Sequence, residues 1–246
     1  TYVPNTAGGN SPQLDQITLG IGGVHGFGFD AAGNQTQADL AGNVIDRAYN
    51  DAGRMSRQER TAAEASTDFL YDGRSFLRRA EGRSPYPAGE AIFCDGFESA
   101  DTSAWGGAGG VCLESTQAGP IYDSTGLLHA VDETQVLYFA GRPVAQLETA
   151  PLFLTTDHLG TPIHATHRAM TVGWQGGFEP FGADYSGAQA AGVFLRFPGQ
   201  WNHQSWVASA QGMEITYNVM RWYAAEVASY LASDPGLVAS TTQRTE

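Results

Sequence analysis

The feature that most constrains this chain is a turn sequence that returns at nearly constant spacing. Phe29-Asp30-Ala31-Ala32-Gly33-Asn34 is followed twenty residues on by Tyr49-Asn50-Asp51-Ala52-Gly53-Arg54. Asp39-Leu40-Ala41-Gly42-Asn43 is a weaker copy between them, and Tyr71-Asp72-Gly73-Arg74 a further relative. A fixed period near twenty residues marks an architecture of stacked units. The mechanism is local: an aromatic ends a strand, the Asx side chain bonds its own backbone in the turn, and glycine supplies the positive φ that lets the next strand return. One such hairpin is too small to bury its apolar face, so neighbours must stack into a continuous sheet. With 31 glycines and few helical stripes, the chain is expected to be mainly β, built of stacked antiparallel β-hairpins.

The second half carries the same kind of punctuation. Thr156-Asp157-His158-Leu159-Gly160-Thr161-Pro162 and Phe178-Glu179-Pro180-Phe181-Gly182 interrupt apolar runs where a chain must reverse. Val193, Leu195 and Phe197 alternate with Phe194 and Arg196, which predicts a strand ended by Pro198-Gly199. Val136, Tyr138 and Ala140 alternate before Gly141-Arg142-Pro143, predicting one more hairpin whose second strand is Val144–Leu147.

Length and charge bound the rest. A chain of 246 residues buries a sizeable core, as one large all-β domain or two smaller ones. A net charge of −13 argues against nucleic acid, which demands clustered cations. Every basic residue is arginine, and the one dense group, Arg74 to Arg83 with Arg78-Arg79, is accompanied by Asp72 and Glu81, so it reads as a solvated strand face. No run of apolar residues is long enough for a membrane-spanning helix. The chain starts at Thr1 without an apolar signal region, so it is expected to have lost a leader or to be a piece of a longer product.

Candidate chemistry is sparse. Cys94 and Cys112 flank a glycine-rich stretch with no histidine or further cysteine, which disfavours zinc. A disulfide between them would stabilise by roughly 3 kcal/mol by restricting the unfolded chain; two unpaired thiols are the alternative. Asp95, Glu98 and Asp101 do not have the spacing of a known Ca²⁺ loop. His164 and His167 differ by an odd number and face opposite sides of a strand, so with His158 they read as hydrogen-bonded turn histidines. Tyr122-Asp123-Ser124-Thr125-Gly126 echoes an aspartic-protease loop with an extra residue before Thr-Gly, and a lone copy reads as a turn. No serine-hydrolase elbow, P-loop or dinucleotide fingerprint occurs, and no metal or other cofactor is expected.

The order TDHLGTP, FEPFG, LRFPGQ, Tyr217-Asn218-Val219-Met220-Arg221-Trp222-Tyr223 and Tyr230-Leu231-Ala232-Ser233-Asp234-Pro235-Gly236-Leu237 resembles the core region of the Rhs/YD-repeat family. The aromatic-Asx-Gly units of the N-terminal third resemble its YD repeat. Asp95-Gly96-Phe97-Glu98-Ser99 through Trp105 also resembles a segment of many exported bacterial proteins. The resemblance implies a secreted or surface-exported structural β-sheet module, whose relatives coil into a hollow shell around a toxin. Its partners would be other segments of a larger product, or copies of itself joined through strand edges. A second reading is an adhesin that exposes Trp105, Trp174, Trp201, Trp206 and Tyr185 to glycans or a surface protein.

A third reading is self-cleavage. In the family an Arg and an Asp thirteen residues later belong to a self-cleaving element, and Arg221 and Asp234 keep that spacing. Ala224 stands where the family has an aspartate, and Glu226 is the nearest carboxyl, so this element is expected to be inactive and the chain to be no enzyme. Between the two residues, Tyr223, Val227, Tyr230 and Leu231 form a helical stripe, which competes with the hairpin that the family implies. The expected organisation is a frayed lead-in over 1–20, hairpin repeats over 21–83, a glycine-rich insertion over 84–130, a core-like region over 131–237 and a tail over 238–246.

Overall fold

The computed structural model describes residues 2–4, 14–18, 23–63, 65–85, 113–203, 206 and 215–234. Among these the chain is all-β, with strands that pair antiparallel with their sequence neighbours in three meanders. The first runs β1 (Tyr2–Pro4), β2 (Leu14–Thr18), β3 (Val24–Phe29), β4 (Gln35–Leu40), β5 (Asn43–Tyr49), β6 (Met55–Arg60), β7 (Ala65–Tyr71), β8 (Leu77–Pro85) and β9 (Leu113–Ala118). The second runs β10 (Pro120–Tyr122), β11 (Leu128–Val131), β12 (Thr134–Phe139), β13 (Arg142–Leu147), β14 (Leu152–Thr156), β15 (Pro162–Thr166) and β16 (Val172–Gln175). The third is β17 (Gln200–Trp201), β18 (Ile215–Asn218), β19 (Arg221–Ala224) and β20 (Ser229–Tyr230). Only Gly119 separates β9 from β10, so the first two meanders follow one another along a single extended run.

The expected hairpin turn is present and recurs beyond the repeats that announce it. Asp30, Asn50, Asp72, Asp123 and Asp157 each use Oδ1 to accept backbone N–H groups two and four residues on, at 2.7–3.1 Å. The residue three places after each has positive φ: Gly33, Gly53, Ser75, Gly126 and Gly160. In the third of these turns Ser75 (φ 68°) takes the left-handed position, and Gly73 does not. His167 and Glu179 head turns with the same backbone bonds, closed at Met170 and Gly182.

A second regularity was invisible in the sequence. Pairing slips by one residue just before each Asx turn, between Gly28/Phe29, Ala48/Tyr49, Leu70/Tyr71, Ile121/Tyr122 and Thr155/Thr156. The extra residue sits on the returning strand, and it resets which face the following side chains occupy. Met55 and Gln58, three apart, are therefore both buried, as are Leu77 and Ala80, and Leu128 and Val131.

Several expectations are corrected. The lead-in is not frayed throughout: β1 and β2 extend the first sheet, with Tyr2 opposite Ile17 and Ile17 buried. Strand structure resumes at Leu113, where β9 pairs with β8, so residues 113–130 are not a loop. Val193–Phe197 is not a strand. Only Leu195 makes a bridge, to Trp201, because Val193 through Arg196 are all buried and alternation has no outer face to occupy. The turn after β12 is Ala140-Gly141, both with positive φ, and Arg142 and Pro143 belong to β13. At 221–231, where a helical stripe competed with a hairpin, the hairpin is the one present and no α-helix forms. Tyr223 pairs with Tyr230 and Ala224 with Ser229 around one 3-10 turn, Ala225–Val227, closed by Ala228 at φ 51°. Strand alternation puts Trp222 and Ala224 into the core, which a helix would not.

Candidate functional site

The best-defined constellation is the seam where the aromatic residues that precede the Asx turns meet the third sheet. Tyr49, Tyr71 and Tyr122 stand at strand ends next to their turns, and each hydroxyl reaches a different point of the C-terminal segments. Tyr49 lies 2.9 Å from the Gln35 carbonyl and 3.0 Å from the Leu231 carbonyl, which also accepts the Gln35 N–H at 2.8 Å. Tyr71 donates to the Met55 carbonyl at 2.6 Å and accepts the Trp222 indole N–H at 2.8 Å. Tyr122 accepts the Trp201 indole N–H at 3.1 Å. In return Tyr217 of β18 accepts the backbone N–H of Leu77 at 2.9 Å and of Met220 at 3.0 Å. Arg54 donates to the Met220 carbonyl at 2.7 Å, and Ser233 to the Ala32 carbonyl at 2.9 Å.

Behind these bonds lies a continuous aromatic core. Phe69 and Trp222 are 4.4 Å apart between centroids, Trp206 and Trp222 4.7 Å, Trp201 and Trp206 5.0 Å, and Tyr217 and Trp222 5.2 Å. Tilted and edge-on rings at such spacings add about 0.5–1.5 kcal/mol per pair to their burial. Burial also raises the hydroxyls of Tyr71 and Tyr122 far above their ordinary range, and lifts that of Tyr217 to about 12. Groups held that high stay protonated near neutrality, so each hydroxyl can donate and accept hydrogen bonds in the seam.

The sequence-derived site residues fall as follows. Trp174, Trp201 and Trp206 are 4%, 1% and 0% exposed, which corrects the expectation of a tryptophan-lined binding surface; they are core. Tyr185 alone of the described candidates is open to solvent, at 66%. Trp105, Cys94, Cys112, Asp95, Glu98 and Asp101 lie outside the described residues, and so does any bond between the cysteines. Arg221 and Asp234 are brought together, Nη1 to Oδ2 at 3.5 Å, with their side chains 27% and 48% exposed. The Arg221 guanidinium also lies 3.8 Å over the Tyr230 ring. Glu226 is in the intervening 3-10 turn. His158 lies in the Asp157 turn and His167 heads the next one, but His164 is on β15 opposite Thr155, not in a turn.

Three of the Asx turns show how the carboxylates do their work. Desolvation pulls the Asp72 and Asp157 carboxyls up, but the backbone N–H donors outweigh it and hold both below the ordinary range. At Asp123 the Thr125 hydroxyl is the largest contributor, again downwards. The tyrosine contacts could not be read from the sequence, because they join residues up to 182 positions apart.

No protein-family model matches the chain, and no curated protein matches it. Solved structures that resemble it include a crystal structure of TcdB2-TccC3-Cdc42, at 12% identity and TM-score 0.38 over 86% of this chain and 9% of that one. A crystal structure of TcdB2-TccC3 aligns at 9% identity and TM-score 0.31 over 96% of this chain and 17% of that one. A Photorhabdus luminescens Tc holotoxin pore aligns at 9% identity and TM-score 0.30 over 90% of this chain and 16% of that one. The chain thus spans less than a fifth of the length of these proteins, and TM-scores below 0.5 do not establish a shared topology.

Proposed function

We propose that this chain is a structural wall module of an exported Rhs/YD-repeat product, in which stacked hairpins make a sheet and the C-terminal segments brace its inner edge. The observation that carries this reading is the convergence of Tyr49, Tyr71 and Tyr122 on residues 201–231. A repeat whose aromatic serves only its own hairpin would not need its hydroxyl aimed at a distant sheet. Among the described residues, strand pairing by sequence neighbours leaves β1 and β16 as outer strands of their meanders. Other segments of a larger product would continue the sheet there.

The same reading assigns the chain no catalysis of its own. Arg221 and Asp234 form a half-exposed pair stacked on Tyr230, which anchors the last strand to its neighbour. Secretion or surface display follows from the family resemblance, and no described helix is long and apolar enough to cross a membrane. Electron microscopy of the full-length product that contains this sequence tests the proposal. A continuous wall with this segment built into it is expected; an open, flexible array of independent hairpins overturns it.

A further inference from the structure

A cleft of about 730 Å³ opens where the β11–β12 turn, the start of the β13–β14 connection and residues 189–203 meet. That is a ligand-sized volume, and concave sites with a few converging polar groups are where binding concentrates. Its walls include the buried Thr134 and Asn202, and its apolar surface comes from Val131, Leu147 and Phe194. Asp132, Glu133 and Glu148 line it, and among the described residues no Arg does. Both oxygens of Asp132 are engaged, and one oxygen of Glu148 is. Asp132 accepts the Gly119 N–H at 2.7 Å and lies 3.5 Å from His203 Nε2, and Glu148 accepts the Thr134 hydroxyl. Loss of hydration holds His203 below its usual value although Asp132 pulls it up, so it is neutral at pH 7.5 and does not balance the acids.

We propose that this cleft seats an arginine side chain of a separate basic polypeptide, the guanidinium between the carboxylates and the aliphatic stem along Leu147 and Phe194. A guanidinium fork matches carboxylate geometry and is weakly hydrated, which suits a half-enclosed site. A second copy of this chain is the poorer occupant, since two molecules of net charge −13 repel one another. The inference does not depend on the wall-module reading.

The test is a titration of the chain with a capped Gly-Arg-Gly peptide at low salt and pH 7.5, followed by amide chemical shifts. Saturable shifts confined to residues 131–135, 147–149 and 202–203 are expected. The variant Glu133→Gln with Glu148→Gln should weaken binding by about tenfold, the loss of roughly one charge-assisted contact. Glu59→Gln, on the first sheet, should leave it unchanged. Absence of saturable shifts, or an equal loss with Glu59→Gln, overturns the proposal. So does concentration-dependent self-association that Glu133→Gln with Glu148→Gln abolishes, since a second copy would then be the occupant.

Discussion

Trp222 donates its indole N–H to the hydroxyl of Tyr71 at 2.8 Å, across 151 positions of sequence, and Tyr71 passes the chain of bonds on to the carbonyl of Met55 at 2.6 Å. Trp222 is buried and Tyr71 is partly buried against it, so loss of either partner leaves the other with little access to water. Tyr71→Phe should therefore cost about 1–3 kcal/mol in urea unfolding, the penalty for stranding a buried donor and acceptor. Trp222→Phe should cost a similar amount plus a cavity contribution. The double variant should be less destabilised than the sum of the two, by about 1 kcal/mol, because each single change already breaks the shared bond.

The Asx turns predict a specific pattern at Asp157. Asp157→Asn keeps an oxygen where Leu159, Gly160 and Thr161 donate, as Asn50 already does in its own turn, and should change stability little. Asp157→Ala removes the acceptor and should cost about 1 kcal/mol, the value of a lost backbone cap. The pH sign follows from the lowered carboxyls of Asp72 and Asp157. Each contributes stability above its unfolded value, lost as pH falls through the lower folded one. Thermal melts should therefore show stability declining below about pH 4, with a shallower decline in Asp157→Asn.

Met170 occupies the left-handed position of its turn, φ 62°, with its side chain 84% exposed. Glycine reaches that conformation without strain, and no packing is lost with the side chain. Met170→Gly should stabilise by about 0.5–1 kcal/mol in denaturant titration. Unchanged or lower stability would mean that the turn is not strained.

These turns also mark the limit of sequence reading. The hairpin device was legible at Asp30, Asn50 and Asp72 because an aromatic, an Asx and a spacing of twenty repeat together. It was legible as mere punctuation at Asp157. The bulge on each returning strand was not legible, since it leaves no common residue signature: the extra residues are Thr36, Ser56, Arg78, His129 and Ile163. Trp174, Trp201 and Trp206 were misplaced on the surface for a related reason. Composition cannot tell a binding aromatic from a core one when the sheet that covers it comes from elsewhere in the chain. The competition at 221–231 was decided by tertiary packing, which places Trp222 against Phe69 and overrides local helical preference.

Asp234→Asn should lower stability by less than about 1 kcal/mol, since the pair with Arg221 is half-exposed and Arg221 keeps the Tyr230 ring. The mass of the wild-type chain should not change on incubation. A mass loss in the wild type that Asp234→Asn abolishes would show self-cleavage.

The central claim is that the C-terminal segments brace the first turns of the sheet, and Ser233 against Ala32 is an exposed point of that contact. Ala32→Cys with Ser233→Cys, in a background with Cys94→Ser and Cys112→Ser, should oxidise spontaneously and yield a linked peptide pair by mass spectrometry. The linked form should melt at a higher temperature than the reduced one. Two thiols that stay reduced under oxidising conditions, in a chain that is otherwise folded, would contradict the account.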